Sequence, residues 1–280
     1  MTPRQRRQLN SWSLHMLLGV WLVISILPPV MLVAASLNST ALFRSPLDLL
    51  TFRYFTLDNF TQAFGRGDFG FFFTNSLIIS VSAVVITLVV CVPLAYGLTK
   101  ISSRARSIVS FGVLAMRFIP YVVLALPLFL IFVNLGLSGS RTGLLLAHLA
   151  IHIPFATWML VGFFDTVPEE LEEAGIVDGC SPWHLFWNVH LPVVRSGIVA
   201  LAILVFIISW NEYLFALFLA GNDAQPLTVG ITRFMGGAEA GADYGVIAAY
   251  AVLVIAPVIA FSLTANRYIV SGMTAGAVKG

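Results

Sequence analysis

His148 and His152 stand four residues apart, the spacing at which one helical face presents two metal ligands. No third ligand stands near them, so the pair reads as polar helix packing or cavity lining, and no metal is expected. Arg117 and Glu212 are candidates of another kind. They are the only charges within six long apolar stretches of the chain. A charge at the centre of a bilayer costs at least ~2.5–3.5 kcal/mol on insertion scales, so each must face protein or water. Two readings stand. In one, the two pair with each other or with polar neighbours and set helix packing or gating. In the other, Glu212 and Asn211 hydrogen-bond a hydroxyl-bearing solute, with Trp210 or Tyr213 as an apolar platform. A third cluster is acidic: Asp165, Glu169, Glu170, Glu172 and Glu173.

The elements that must hold these residues follow from composition. Hydrophobic types make up 59% of the 280 residues and charged types 10%, against roughly a quarter charged in soluble domains. Mean hydropathy is +0.93. Soluble enzyme, disordered chain and nucleic-acid binder are therefore excluded. Six stretches are long enough to span a bilayer as helices, at 14–36, 71–98, 108–133, 143–164, 197–221 and 244–265. They are continuous rather than alternating, which excludes a β-barrel. The predicted fold is all-α and polytopic, with residues 1–13 as an N-terminal segment, 14–265 as the transmembrane domain and 266–280 as a tail.

Orientation follows from basic residues. Arg4, Arg6, Arg7, Lys100, Arg104, Arg106, Arg195, Arg267 and Lys279 fall on one side, and Arg44, Arg53, Arg66, Arg141 and Arg233 on the other. The richer side is read as cytoplasmic, which puts both termini there. The first apolar run exceeds a signal-peptide core and is read as a retained helix. Cys91 and Cys180 fall in a span and a loop, and form neither a disulfide nor a zinc pattern. The segment 37–70 has room for a short packed helix. Its acceptor-like tripeptides at Asn38 and Asn59 carry no weight, since such matches are common by chance.

The connection 165–195 is the most informative segment. Thr166-Val167-Pro168-Glu169 has the form of a capping box, with Pro168 tolerated in the first turn. Gly179 suits a left-handed helix end. Ser181-Pro182 starts a second helix, and Leu191-Pro192 is read as ending it. A helix–turn–helix is thus predicted, with small residues Ala174, Gly175 and Gly179 where another surface can approach, followed by Trp183, Phe186 and Trp187.

Glu173-Ala174-Gly175, then Gly179, then Val189, Leu191 and Pro192 resembles the EAA loop of permease subunits of ABC importers, with matching spacing at every element. Gly175 replaces the usual second Ala and Val189 the usual Ile. Asn75-Ser76-Leu77, Arg117-Phe118-Ile119-Pro120 and Trp210-Asn211-Glu212-Tyr213 are similar to the core of carbohydrate permeases. The tail from Gly272 through Lys279 to Gly280 resembles the C-terminus of maltose-type second permease subunits.

The resemblance implies a type I ABC importer transmembrane fold in the inner membrane of a bacterium or archaeon. It implies import of a sugar, a di- or oligosaccharide or a sugar phosphate. The implied partners are a second homologous permease (a heterodimer), two copies of a cytoplasmic ATPase carrying ATP and Mg, and an extracytoplasmic solute-binding protein. Glu173, Ala174, Gly175, Asp178, Gly179, Leu191 and Pro192 would couple to the ATPase, with Gly272, Thr274, Gly276 and Lys279 contacting it from the tail. Arg117, Asn211, Glu212 and Tyr213 are the substrate-path or gating candidates. The chain has no phosphate-binding Gly-x-x-x-x-Gly-Lys-Ser/Thr sequence of its own, so it is expected to be no enzyme and to hold no cofactor. An ion-gradient-driven transporter of a small polar solute and an integral membrane enzyme are the other readings open to the sequence. Neither accounts for the tail.

Overall fold

A computed structural model describes residues 3–39, 54–66, 68–234 and 243–277. Among them the regular secondary structure is helical, with one isolated bridge, Asn38 with Phe55. The helices are α1 (Pro3–Ser36), α2 (Asp58–Arg66), α3 (Phe69–Thr99), α4 (Ser103–Ala115), α5 (Tyr121–Asn134), α6 (Arg141–Phe164), α7 (Glu169–Val177), α8 (Pro182–Leu185), α9 (Leu191–Trp210), α10 (Leu214–Leu219), α11 (Leu227–Gly230) and α12 (Tyr244–Ala277). Five are long and apolar enough to cross a membrane among the described residues, or six if the bent pair Ser103–Phe118 and Tyr121–Asn134 is one span.

The chain forms two compact units, Met1–Phe69 with Ile231–Ile255, and Gly70–Gly230 with Ala256–Gly280. In the first, α2 is the short helix expected between the first two spans. Asn59 on α2 donates to the carbonyls of Ser36 and Asn38 at 3.0 and 2.8 Å, and Asn38 donates to Ala34 at 2.8 Å. Both asparagines are buried, so these amides close the end of α1 and are shut off from modification. A Cβ on Gly245 would lie 2.7 Å from the Asn59 amide, so only glycine admits this approach.

The second unit holds the candidate residues. One apolar cluster joins α3, α6 and α9 through Cys91, Leu160, Phe164, Leu201 and Val205. A second joins α5, α6 and α10 through Phe132, Leu144, Ile151 and Phe215. Gly197 lets α9 close on α6, because a Cβ there would meet the Phe163 ring at 2.5 Å. Cys91 and Cys180 are both free thiols.

Several boundaries differ from the sequence reading. The stretch 108–133 is not one straight helix. It breaks at Ile119–Pro120 with a 90° bend after a 3₁₀ turn, Met116–Phe118. Ile119 is extended (φ −73°, ψ 121°), the conformation that a following proline ring enforces. The fifth apolar helix stops at Trp210 rather than running to 221. Asn211 and Glu212 break it with their own side chains: Asn211 Nδ2 donates back to the Ile207 carbonyl at 2.8 Å, and Glu212 turns to cap α10. The last helix continues past the apolar stretch through Ala277, so residues 266–277 of the tail are helical.

Candidate functional site

Glu212 is buried among apolar helices, yet it is not paired with Arg117. Its Oε1 accepts from the Phe215 amide at 2.8 Å and its Oε2 from the Ala216 amide at 3.0 Å. The first turn of any helix has unpartnered N–H groups with a partial positive charge, and a carboxylate satisfies both needs. The Glu212 backbone carbonyl accepts from Thr228 Oγ1 at 2.7 Å, which ties α11 to the same corner. His148 stands beside it, with Nε2 3.6 Å from Glu212 Oε2 and Nδ1 sharing a 2.7 Å hydrogen bond with Ser209 Oγ. The rings of His148 and His152 sit edge to face at 6.0 Å. His148 therefore joins α6 to the end of α9, and His152 packs against His148 one turn along α6. No group of three metal-type ligands occurs among the described residues.

Arg117 lies in the 3₁₀ turn at the bend after α4, with its guanidinium over the Phe155 ring of α6 at 4.3 Å. Its Nη1 is buried without a hydrogen-bond partner. A cation on an aromatic face is stabilised by the ring quadrupole, so Arg117 is held by a ring rather than by Glu212, the first of the partners the sequence left open. Asn211 and Tyr213 are exposed on either side of the buried Glu212.

Two residues that the sequence reading passed over as function hold the far side of this corner. Asn75 Nδ2 donates to the carbonyls of Asp223 and Gln225 at 3.3 and 2.9 Å, its Oδ1 accepts from Arg141 Nε at 2.6 Å, and Ser76 Oγ accepts from the Leu227 amide at 2.8 Å. The chain between α10 and α11 is thus pinned to the start of α3. Asn-Ser at the mouth of an apolar helix was the available signal, since buried polar side chains must find partners.

The second site is the connection 165–195. Helix α7 has no buried residue. Glu173, Ala174, Asp178 and Gly179 are exposed, as are Leu171, Ile176 and Val177. A helix of nine residues is marginal alone, so it must be held from outside. Lys100, at the end of α3, bonds both carboxylate oxygens of Glu172. His190 Nε2 lies 3.3 Å from Glu172 Oε2, and Arg106 pairs with Asp165 at 2.7 Å. Burial acts to raise the Glu172 carboxyl. The hydrogen bond and charge of Lys100, with His190, outweigh it and leave the group below its ordinary range.

The helix ends are partly as expected. Gly179 has φ +77°, with its amide donating to Ile176 and that of Cys180 to Gly175, the paired bonds of a Schellman end. Ser181 caps α8 by accepting from the His184 amide at 3.2 Å. The capping box at Thr166 does not form, since Thr166 Oγ1 donates to the Phe163 carbonyl and Pro168 takes the cap position without a side-chain bond. Leu191-Pro192 does not end a helix either. A π turn, Phe186–His190, leads into α9 with Pro192 in its first turn. Pro192 has no N–H and its ring crowds the carbonyl four residues back, and the wider turn relieves both. Gly175 lets Leu185 lie close against α7, and a Cβ there, 2.4 Å from Leu185 Cδ2, would make that side chain shift. Among the tail candidates, Gly272, Thr274 and Gly276 lie on the α12 backbone, and Lys279 lies outside the described residues.

Residues 91–273 match the family model described as binding-protein-dependent transport system inner membrane component. An arabinooligosaccharide transport system permease of Halalkalibacterium halodurans is 31% identical over 99% of both chains. A diacetylchitobiose uptake system permease of Streptomyces coelicolor is 30% identical over 95% of this chain and 88% of its own. A trehalose transport system permease of Mycobacterium tuberculosis is 36% identical over 80% and 82%. Among solved structures, a chain of a bacterial ABC transporter involved in alginate import superposes with a TM-score of 0.77, at 22% identity, over 96% of this chain and 99% of that one.

Proposed function

The chain belongs to the family of binding-protein-dependent transport system inner membrane components, and from that premise we propose that it is one of two permease subunits of an ATP-driven carbohydrate importer. Membership in a family of transport subunits sets aside both the membrane-enzyme and the ion-gradient readings. The observation that carries the coupling role is the state of α7. Glu169, Glu170, Glu173 and its apolar side chains are exposed, while Lys100 and His190 hold Glu172 and Leu185 lies against Gly175 from behind. Such a helix suits a cleft on a cytoplasmic ATPase, with ATP and Mg bound there. Rocking of the permeases between inward- and outward-facing states then follows from movement of that cleft.

Three relatives are transport permeases for arabinooligosaccharides, diacetylchitobiose and trehalose, which supports a di- or oligosaccharide. An alginate transporter has been solved with a periplasmic protein bound to an alginate pentasaccharide, which supports delivery by an extracytoplasmic binding protein. The orientation with both termini in the cytoplasm rests on the basic residues of the connections. Exposed Asn211 and Tyr213 are the sugar contacts of this reading, and Glu212 holds the corner that presents them.

The test is to purify the chain with its permease and ATPase partners and measure ATP hydrolysis with the cognate binding protein. Stimulation by saccharide-loaded binding protein, lost in Glu173→Ala with assembly intact, is expected. Stimulation by amino acids or metal ions instead would overturn the carbohydrate assignment.

A further inference from the structure

Helix α4 lies along α6, and between them is a cavity of about 550 Å³, within the roughly 300–1,000 Å³ usual for small-molecule sites. Its α4 wall is Ser103, Arg106, Ser107 and Ser110, whose spacing of three and four residues puts all four on one helical face. Its α6 wall includes Trp158 and Gly162 and ends at Asp165. Two features mark it as built for a ligand. Ser110 is 8% exposed and its hydroxyl has no hydrogen-bond partner. Gly162 lines it and is exposed, and a Cβ there meets nothing within 4 Å, so a methyl is accommodated and only a longer side chain would occupy the space.

The charged lining consists of one base and one acid, Arg106 and Asp165, in contact at 2.7 Å through one guanidinium nitrogen. The rest of the guanidinium fork is available to an anion. The cavity also sits where apolar helices give way to charge. Apolar α6 ends at Phe164, and the start of α4 carries Arg104 and Arg106. Trp158 is half exposed, the habit of an indole at a membrane interface, and Phe111 on the flank of the serine face is exposed.

We propose that this cavity binds the headgroup of a zwitterionic phospholipid bearing a primary ammonium, of the phosphoethanolamine type. The phosphate meets Arg106 and the serine hydroxyls, the ammonium meets Asp165, and the acyl chains run along the exposed apolar flank. A purely anionic headgroup would set its phosphate against the Asp165 carboxylate. A choline headgroup has no N–H to donate to it. The inference stands on membrane insertion alone and does not depend on which solute is carried.

The assay uses the full chain with its partner subunits, stripped of lipid in mild detergent, and measures its thermal midpoint and the lipid it retains. Phosphatidylethanolamine is expected to raise the midpoint and be retained, with phosphatidylglycerol and phosphatidylcholine weaker. Arg106→Gln and Asp165→Asn should each cut retention by about tenfold, the size of losing a charge-assisted hydrogen bond. Gly162→Leu, which fills the cavity without altering charge, should do the same, and Gly162→Ala should retain more. Equal effects of all three lipids, or full retention in Gly162→Leu, would overturn the proposal. So would equal stabilisation by water-soluble phosphoethanolamine, which would make the ligand a free solute. If Gly162→Leu fails to assemble, the lipid comparison on the unaltered complex and on Asp165→Asn decides alone.

Discussion

The molecule uses carboxylates in two opposite ways. Glu212 is buried among apolar helices and has both oxygens occupied by the amides of Phe215 and Ala216. The carboxylates of α7 at Glu169, Glu170 and Glu173 are exposed, and only Glu172 is committed to the fold. The difference follows from solvent. A carboxylate among apolar helices must satisfy itself inside the protein, so it becomes part of the architecture. A carboxylate at the aqueous end is solvated at no cost and stays free to meet another surface. Burial thus sorts the acidic residues into those that shape the protein and those that remain available to a partner.

Substitutions can break this contrast. Glu212→Ala should have the largest effect, since it leaves two buried N–H groups unsatisfied at about 1–3 kcal/mol each. The thermal midpoint of the assembled complex should fall sharply, and α10 should lose protection from hydrogen exchange. Glu173→Ala should leave that midpoint unchanged while ATP hydrolysis stops responding to the binding protein. A stable, normally transporting Glu212→Ala would dissolve the distinction.

Gly175→Val comes next. Overpacking against Leu185 costs about 1–3 kcal/mol, and it should displace α7 locally, so coupling falls more than overall stability. Ser181→Ala removes the cap of α8 at about 1 kcal/mol. Its mark should be faster amide exchange confined to residues 182–185.

Acid should give the smallest effect and sharpen the comparison within α7 itself. The Glu172 carboxyl lies below its ordinary range in the folded protein. Its contribution is therefore present above the unfolded carboxylate range and is lost as pH falls through the folded value. Exchange protection of α7 should hold from neutral pH to the usual carboxylate range and decline only below it. In Lys100→Gln the decline should begin at higher pH.

Much of this was legible from residue order alone, where the cause is local. Five or six apolar helices follow from unbroken hydrophobic runs. Gly179 follows from the need for a left-handed residue at a helix end, and Ser181 from the need for an acceptor at a helix start. The EAA-like spacing singled out the connection that holds the exposed α7, because its pattern lies within one contiguous stretch. The capping box at Thr166 was misread because a hydroxyl can serve its own preceding turn as readily as the next one. Leu191-Pro192 was misread as a stop because a proline in the first turn of a continuing helix has the same sequence as one beyond an end.

What the residue order determined was that this chain lives in a membrane, which stretches are apolar enough to cross it and where the exposed connection between them lies, since those depend on runs of residue type. What only the tertiary structure decided was who meets whom inside: Arg117 with Phe155, Glu212 with its own next helix and His148, and Asn75 with the chain before α11. A buried charge announces that it must have a partner, but many distant groups can fill that role. The choice among them is made by how the helices break and pack.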